Sequence, residues 1–274
     1  MRYIGVSRSE FFSPNRKEGD SAVFHAVASE LGHFGHEVVC MTEQELVMNG
    51  LPCDADGFFQ MARSREALDM LGGAKVPVTN TVQAVLNCTR VRQTELLKDS
   101  GLIPLSVICS TAGVPAGWDR FPCWIKRPDS HAVEKDDVQF IQNAYELETA
   151  IRGYAERGIK EFVIQDHVKG WLVKFYGVKG FGLVDCYAAT AKDGKFGLEK
   201  YNDTPDTACV DMKVLAAVAE RASDLLGLDV YGGDAVVGDD GIITIVDFND
   251  WPSFRTCTVG AAQKIAELII SKNR

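Results

Sequence analysis

The sequence lacks the features that mark several large classes of protein. No CxxC pair occurs among its eight cysteines, and their spacing from the five histidines does not resemble a zinc site. No apolar run approaches the ~18 residues of a membrane span, and the start MRYIGVSRSEFF has no apolar signal-peptide core. Positive charge is also scarce, since 29 Lys and Arg against 38 Asp and Glu give a net charge of −9. We therefore expect reduced, mostly buried thiols in a cytoplasmic protein that binds neither nucleic acid nor membranes.

The first third of the chain alternates predicted strands with predicted helices. RYIGV and HEVVCM are typical of strands, and the amphipathic segment SAVFHAVASELGHFG between them predicts a helix that stops at Gly35. ADGFFQM, the helical SREALDMLGG and VPVTN extend this pattern. The order predicts a parallel sheet, and the 46% hydrophobic content allows one compact protein of two or three lobes. No GxGxxG follows the first strand, which disfavours a nicotinamide or flavin site.

Short strands dominate the chain after a predicted helix that ends at Gly101. The strand candidates are LSVIC, CWIKRP, EFVIQDHV, WLVKFYGV and GLVDCYAAT, with one helix, NAYELETAIRGYAERG, among them. Gly-rich turns between such strands indicate antiparallel sheets. Further on, DMKVLAAVAERASDLLG predicts a helix that ends at Gly227. We expect its buried stripe to consist of Leu215, Val218, Ala222 and Leu225.

The last pair of predicted strands brings polar side chains together. VYGGDAVVGD and IITIVDFND flank Asp240-Gly241, a preferred two-residue type I′ turn. Counting outward from that turn places Asp234 directly opposite Asp247. Because side chains alternate along a strand, Asn249 lies on the same face as Asp247, while Val246 and Phe248 point into the core.

Two carboxylates that face each other across a hairpin repel unless a cation lies between them. Mg²⁺ suits this position because it prefers carboxylate and amide oxygens and completes its shell with water and ligand phosphates. Solvated acids on an exposed face are the alternative interpretation. The apolar flanks and the repeated spacing of the amide favour a metal site, so we predict that Asp234, Asp247 and Asn249 bind the metal.

The order of motifs resembles that of a known superfamily. A strand lysine in CWIKRP, a connecting segment, a second strand lysine in WLVKFYGV and the Asp…Asp-x-Asn hairpin occur as in ATP-grasp proteins. The chain resembles this superfamily along nearly its whole length, and among its branches the glutamate ligases and D-alanine–D-alanine ligase. The resemblance implies an α/β fold that becomes α+β in the second half, with ATP held between two mainly antiparallel α+β lobes. The implied parts are an N-terminal parallel-sheet α/β (pre-ATP-grasp) domain over residues 1–86, a small lobe or lid over 87–165, and a C-terminal lobe with the metal site over 166–274.

The resemblance also implies roles for two lysines. Lys126 would contact an ATP phosphate, and Lys174 would face the nucleotide or the substrate and take part in catalysis. Lys126 follows apolar strand residues and Lys174 lies between two of them, although a lysine that extends to the surface is the alternative for both. The metal hairpin would hold one or two Mg²⁺ ions, with Mn²⁺ as an alternative, that bridge the ATP phosphates.

The segment FVIQDHVKG, residues 162–170, matches the connection between the lobes, and we call it the connecting segment. In relatives its main chain recognises adenine, so Gln165 and Val168 are candidates there, with Asp166 or His167 at the ribose. Arg92 occupies the place where many relatives carry a phosphate-binding lysine, and an arginine can serve there through bidentate contacts.

Two features depart from the superfamily pattern. RPDSHAVEKDD contains no Gly, whereas many relatives have a Gly-rich loop over the phosphates; Ser130 and His131 are the candidates to cover the phosphates instead. VYGG stands where an arginine often precedes the first metal acid. Arg255 is the candidate to replace that arginine as a catalytic residue. Arg255 and Ser253 are also the candidate substrate contacts.

The resemblance implies an ATP- and Mg²⁺-dependent, ADP-forming carbon–nitrogen ligase. It would make an amide or peptide bond through an acyl-phosphate on a small metabolite, amino acid or peptide. Its partners would be a small molecule or peptide that carries a carboxylate and an amine acceptor, and a homodimer is compatible with this. Two alternatives stay open: a small-molecule kinase of the same fold, similar to the inositol phosphate kinases, and a nucleotide-binding regulatory protein without turnover.

Overall fold

The first part of the chain forms a four-stranded parallel sheet, as the sequence predicts. The computed structural model describes residues 1–12, 17–113, 118–129, 134–189, 198–202 and 210–273. The sheet order is β2-β1-β3-β4, and its strands are β1 (Arg2–Ser7), β2 (Glu37–Thr42), β3 (Gly57–Gln60) and β4 (Val78–Thr79). The helices around it are α1 (Lys17–His33), α2 (Glu43–Asn49), α3 (Arg65–Gly72) and α4 (Val82–Asn87). The alternation of strand and helix identified the strands correctly but did not reveal the short helices α2 and α4.

This first sheet is covered on both faces. On one face Ile4, Val6 and Phe58 pack against α2 and α3. On the other face Tyr3 and Phe59 pack against α1 and against the last helix of the chain, α8 (Thr258–Ser271). Gly5 allows this close packing, because a Cβ there would lie 2.4 Å from the Phe59 ring. The C-terminal helix therefore returns to the N-terminal sheet.

A second, smaller sheet follows and is antiparallel. After helix α5 (Arg90–Leu97) it has the order β5-β8-β6-β7. Its strands are β5 (Ser106–Ser110), β6 (Cys123–Lys126), β7 (Val138–Ile141) and β8 (Glu161–Asp166), and helix α6 (Ala144–Glu156) packs on one face. We call it the small sheet.

A third sheet, the large sheet, is also antiparallel and has the order β10-β9-β11-β12. Its strands are β9 (Trp171–Val178), β10 (Gly182–Ala188), β11 (Val230–Val237) and β12 (Ile243–Asp250). Helix α7 (Met212–Leu226) precedes β11 and packs on one face. Both antiparallel sheets agree with the strand-rich pattern of the sequence.

The buried stripe of α7 differs from the one that the sequence predicts. Leu225 is 44% exposed, while Ala219 and Leu226 are fully buried beside Leu215 and Ala222. The buried positions follow the spacing i, i+4, i+7, i+11, which tracks the 3.6-residue turn more closely than the predicted set does. Gly227 ends the helix in the left-handed conformation, as expected.

The hairpin of β11 and β12 has a longer turn than predicted. The N–H of Gly241 donates to the C=O of Gly238 at 2.9 Å, and Gly241 has a φ of +79°. Gly238 also pairs with Ile242, so the loop has three residues and a glycine in the left-handed region. This shifts the register by one residue, and a β-bulge at Val246 shifts it back, so that Asp234 still lies opposite Asp247.

The bulge also changes which side chains face the core. Ile245 and Phe248 lie in the core with α7, although they are three residues apart. Val246 packs in a separate cluster on the opposite face, so the expectation that it points into the core with Phe248 is wrong. A bulge places two successive side chains on one side of the strand, which accounts for Val246 and Asp247 sharing a face.

The cysteines are less buried than expected. Of the seven in the described residues, all are free thiols, but only Cys88 and Cys123 are buried, while Cys40 and Cys53 are exposed. None of the described helices has both the length and the apolar character needed to cross a bilayer.

Candidate functional site

The small sheet turns one face toward α6 and the other toward the large sheet. Ile125, Phe162 and Ile164 pack on α6. Side chains alternate along each strand, so the residues between these lie on the opposite face. Val163 pairs with Lys126, and Gln165 pairs with Trp124, which places all four on that second face. We call the space between this face and the large sheet the slot.

Lys126 joins the two sheets at the bottom of the slot. Its Nζ donates to Gln165 Oε1 and to the C=O of Val246 in β12, both at 2.7 Å. Gln165 is held in turn by Ser106, whose Oγ accepts from its Nε2 at 3.0 Å. Burial lowers the pKa of Lys126 to about 8, although the nearby Asp247 opposes this shift. The lysine is therefore a buried cation at neutral pH, as the sequence suggested for this strand.

One face of the large sheet carries three layers of side chains, two residues and about 6.8 Å apart along β9. The first two border the slot, and the third continues into the core that packs against α1 and α8. The first is apolar and contains Leu172, Val236 and Val246. The second contains Lys174, Asp234, Asp247 and Tyr187, which lie opposite one another across four strands. The third contains Tyr176, opposite Gly232, and Asn249. One face thus runs from apolar to charged to polar.

The charged layer is built around an ion pair. Lys174 Nζ lies 2.9 Å from both oxygens of Asp234, and both side chains are mostly buried. Asp247 lies across the strand from Asp234, and its Oδ2 accepts from Asn249 Nδ2 at 3.1 Å. The structure therefore brings together four predicted residues: Lys174, Asp234, Asp247 and Asn249.

The donor set of this layer fits a hard divalent cation that is also bound by a ligand. Among the described residues no group of three His, Cys, Asp or Glu could hold a metal by itself. Asp234 and Asp247 do supply two carboxylates. Asn249 Oδ1 is a buried oxygen that has no hydrogen-bond partner among the described residues. Mg²⁺ commonly uses one or two carboxylates and takes its remaining oxygens from water and phosphates. An unsatisfied amide oxygen beside two acids is consistent with such an ion.

The connecting segment holds its predicted residues in different ways. The side chain of Gln165 faces Lys126, as described above. Asp166 pairs with Arg120, whose Nε lies 2.8 Å from both carboxylate oxygens. Val168 packs against the apolar layer of the large sheet, and its C=O accepts from Asn202 Nδ2 at 3.1 Å. His167 Nδ1 accepts from Trp124 Nε1 at 3.2 Å, and burial lowers the pKa of its ring.

An aromatic group at the outer end of the slot was not recognised from the sequence. Trp124 and Phe140 lie on neighbouring strands of the small sheet with ring centroids 5.0 Å apart. Tyr201 stacks on Phe140 at 4.0 Å with an interplanar angle of 22°, and its edge contacts Trp124. Two aromatic residues on paired strands were a signal for such a group, but Tyr201 is distant in sequence and only the fold brings it there.

Arg92 does not reach the slot. It lies on the exposed side of α5 and pairs with Glu95 one turn on. Arg90 is the buried arginine of this helix, and its Nη1 donates to the main-chain oxygens of Arg127 and Asp129 at 3.3 and 3.1 Å. It lines a cavity with Lys126, Gln165 and Asp247. The sequence held a signal for this, because Arg90 shares an i, i+4, i+7 stripe with Thr94 and Leu97, whereas Arg92 and Glu95 have the spacing of a surface ion pair.

Of the remaining predicted residues, two lie after the end of β12 and two lie outside the described residues. Ser253 is 8% exposed and packs against the first helix, since a Cβ at Gly19 would lie 3.1 Å from it. The guanidinium of Arg255 lies 5.8 Å from the ring centre of Tyr187, the residue opposite Lys174. Trp251 and Phe254, on either side of Ser253, have φ values of 39° and 44°, which non-glycine residues rarely adopt. Ser130 and His131 lie outside the described residues.

A buried ion pair anchors the end of β12 to the first sheet. Arg63 Nη2 lies 2.6 Å from Asp250 Oδ1, and both side chains are at most 8% exposed. Glu43 holds the loop of Arg63, because its carboxylate accepts from the N–H groups of Ser9, Arg63 and Ser64 at 2.5 to 3.0 Å. Asp250 directly follows Asn249, so this network fixes the position of the amide.

Several solved structures are similar to the chain along nearly its whole length. A RimK domain ATP-grasp protein from Sphaerobacter thermophilus superimposes with a TM-score of 0.71 at 17% identity, covering 98% of this chain and 100% of that one. A D-alanine–D-alanine ligase from Bacillus anthracis, complexed with ATP, gives 0.72 at 14% identity, covering 100% and 97%. The Coxiella burnetii D-alanine–D-alanine ligase gives 0.71 at 11%, covering 100% and 96%. The chain has the ATP-grasp fold.

The ATP-grasp fold spans the whole chain, which agrees with the resemblance seen in the sequence. No protein-family model and no curated protein sequence matches the chain. At 11–17% identity the likeness concerns the path of the main chain. The roles of individual residues are therefore argued from their positions in the slot.

Proposed function

We propose that the protein is an ATP- and Mg²⁺-dependent carboxylate–amine ligase. The observation that carries this proposal is the pairing of two lysines with the acidic hairpin in one slot. Lys126 reaches β12 beside Asp247, and Lys174 holds Asp234 on the facing sheet. Similar structures are D-alanine–D-alanine ligases, one of them with ATP bound, and a RimK domain protein. Acids and lysines at the middle of an ATP-grasp slot are what a triphosphate and its metal would require.

The order of the layers suggests where each part of the reactants lies. The apolar layer and the rings of Trp124 and Phe140 suit the base, since adenine stacks on apolar and aromatic surfaces. The charged layer suits the phosphates, and Lys126 would offset their negative charge from the small sheet. Mg²⁺, held by Asp234, Asp247 and Asn249, would supply charge neutralisation at the phosphates. The polar layer, with Ser253 and Arg255 beyond it, suits the substrate.

The chemistry follows from this arrangement. An oxygen of the substrate carboxylate attacks the γ-phosphorus, the bond to the β-phosphate oxygen breaks, and acyl-phosphate and ADP form. The ammonium groups of Lys126 and Lys174 stabilise the spread of charge. The amine then attacks the acyl carbon, inorganic phosphate leaves, and the nitrogen loses a proton to solvent or phosphate. Arg255 orients the carboxylate, and closure of the small sheet over the slot excludes water that would hydrolyse the acyl-phosphate.

Product analysis with pooled substrates tests this function. The purified chain is incubated with ATP, Mg²⁺, a pool of amino and carboxylic acids, and a pool of amines, while ADP, inorganic phosphate and new amides are measured. A ligase releases ADP and phosphate in equal amounts only when both an acid and an amine are present. ADP without free phosphate, together with a phosphorylated product, would identify a kinase and contradict the ligase assignment.

A further inference from the structure

The outer end of the slot, where the proposed function places adenine, is occupied by a short segment of the chain itself. Residues 198–202, which we call the strap, contain a single turn of 3-10 helix over Leu198–Tyr201. Tyr201 and Asn202 are half-buried and lie against the small sheet and the connecting segment. Both residues make these contacts through their side chains. The contacts are of the two kinds by which proteins bind a purine, ring stacking and hydrogen bonding.

The ring of Tyr201 lies where an aromatic platform would receive a base. It stacks on Phe140 at 4.0 Å and meets Trp124 edge-on at 5.7 Å. Phe140 and Trp124 are cross-strand neighbours on the face of the small sheet that also carries Gln165 and Lys126. Proteins commonly hold an adenine ring by stacking it on aromatic side chains. Both the adenine and the side chain have an aromatic face and a large apolar area.

The amide of Asn202 takes the hydrogen bonds that an amino group would take. Its Nδ2 donates to the C=O of Val168 at 3.1 Å and to the C=O of Gly170 at 3.4 Å. Both carbonyls belong to the connecting segment. A side-chain amide and the exocyclic amine of adenine are both NH₂ groups on a planar system, and each offers two N–H donors. The Val168 side chain beside them packs on the apolar layer, so the contact lies at the mouth of the slot.

We propose that the strap is an internal competitor of ATP, in which Tyr201 stands in for the adenine ring and Asn202 for its amino group. This inference rests on ATP being the ligand of the slot and adds regulation to the proposed function. A ligand that binds only when the strap is displaced has its affinity reduced by the fraction of molecules in which the strap is open. Weakening the strap therefore strengthens nucleotide binding.

Three variants weaken the strap without changing the slot-facing lysines or acids. Asn202→Ala removes both hydrogen bonds, and Asn202→Asp replaces the donors with an oxygen that the two carbonyls repel. Tyr201→Ala removes the stacked ring. The matched controls are Tyr145→Ala, which truncates a tyrosine that is 79% exposed on α6, and Asn49→Ala at the exposed end of α2.

Calorimetric titration with the non-hydrolysable analogue AMP-PNP and Mg²⁺ tests the proposal. We expect the Kd to fall about fivefold for each Asn202 variant, since two neutral hydrogen bonds contribute on the order of 1 kcal/mol net. Neither control should change it. In stopped-flow mixing, the binding rate of the parent protein should level off at high AMP-PNP because opening of the strap becomes limiting, and this plateau should rise in Asn202→Asp.

A Kd that does not fall in the strap variants overturns the proposal. Weaker binding in the strap variants would make Tyr201 and Asn202 ligands of the nucleotide, and unchanged binding would mean that the strap lies outside its path. If no variant binds AMP-PNP, the strap and the nucleotide part of the proposed function both fail. Tighter binding in the variants, combined with no acid- and amine-dependent ADP release, would leave the strap standing and remove the ligase.

Discussion

Asp247 is the residue on which the metal assignment depends most directly. It lies opposite Asp234, beside an amide oxygen without a described partner, and it is only partly exposed. The two carboxylates are close enough to repel, and Lys174 is bonded to Asp234. A metal at this point would offset the repulsion between Asp247 and Asp234 and would be bound by both carboxylates.

Asp247→Asn should abolish Mg²⁺-dependent ADP formation while the protein remains folded. The substitution removes a ligand and a like-charge repulsion together, so the free energy of unfolding should stay equal or rise slightly. The control is Asp239→Asn in the exposed loop of the same hairpin, which should keep full activity. ADP release at saturating ATP and the melting temperature measure the two effects. Undiminished ADP formation by Asp247→Asn would show that the metal assignment is wrong.

Lys126 should make nucleotide binding depend on pH. Burial lowers the pKa of Lys126 to about 8 in the ligand-free protein, so the cation is lost as the pH rises through that value. If the phosphates require the cation, the Kd for AMP-PNP with Mg²⁺ rises about tenfold per pH unit above that range. Titrations between pH 7 and pH 9.5 measure this. Lys126→Met should bind weakly at every pH, and an equal slope in that variant would rule the lysine out as its source.

The hairpin of β11 and β12 is the element that positions the metal residues. Its two offsets, the third loop residue and the bulge at Val246, cancel before the strands reach Asp234. The bulge also frees the C=O of Val246 for Lys126. Gly233, next to Asp234, lets the strands approach, because a Cβ there would lie 2.3 Å from the main-chain oxygen of Asp247.

Gly233→Ala should separate the two strands at the metal site. The added methyl group must move either the Asp247 main chain or the Phe175 ring, and such overpacking costs about 1–3 kcal/mol of unfolding free energy. We expect the Mg²⁺ concentration for half-maximal ADP release to rise as well. Gly153→Ala in α6, where nothing lies within 4 Å of the new Cβ, should instead stabilise by roughly 0.5–1 kcal/mol. Urea unfolding and Mg²⁺ titration measure both variants, and equal stability in the two would contradict the steric argument.

The whole molecule is connected across its sheets by a few buried polar contacts. Asn80, which is fully buried, joins the first sheet to the start of β11: its Oδ1 accepts from the N–H groups of Asp229 and Val230 at 2.8 Å, and its Nδ2 donates to the C=O of Val230 at 2.7 Å. The pair of Arg63 and Asp250 makes the second connection, at the end of β12. These two contacts hold the hairpin of β11 and β12 against the first sheet.

Asn80→Ala should destabilise the protein by about 2–4 kcal/mol, because it leaves buried main-chain groups of the neighbouring sheet without partners. The loss should appear in urea unfolding as a lower midpoint, and ADP release below the transition should fall less than stability does. Asn49→Ala, at an exposed helix end, serves as the control and should change stability by less than about 0.5 kcal/mol. A similar small change in Asn80→Ala would mean that the sheets do not depend on this contact.

The sequence by itself determined most of the strands and longer helices, though not α8, and three of the four residues of the charged layer: Lys174, Asp234 and Asp247. Periodicity located all strands except β7, because strands depend on local alternation and on their apolar flanks. The count outward from Asp240-Gly241 predicted the register of Asp234 and Asp247. It assigned the correct pair through a two-residue turn that does not form. The loop and the bulge are compensating irregularities, and neither leaves a mark in the hydrophobic pattern.

Only the tertiary structure decided which distant groups meet in the slot. The stripe of Arg90, Thr94 and Leu97 marks a buried side of α5, but only the packing of the helix brings Arg90 to the cavity of Lys126. The contact of Lys126 with Val246, the stacking of Tyr201 on Phe140 and the return of α8 to the first sheet join residues far apart in the chain. Local sequence limits what each segment can form, but contacts between segments are selected by the free energy of packing the whole chain.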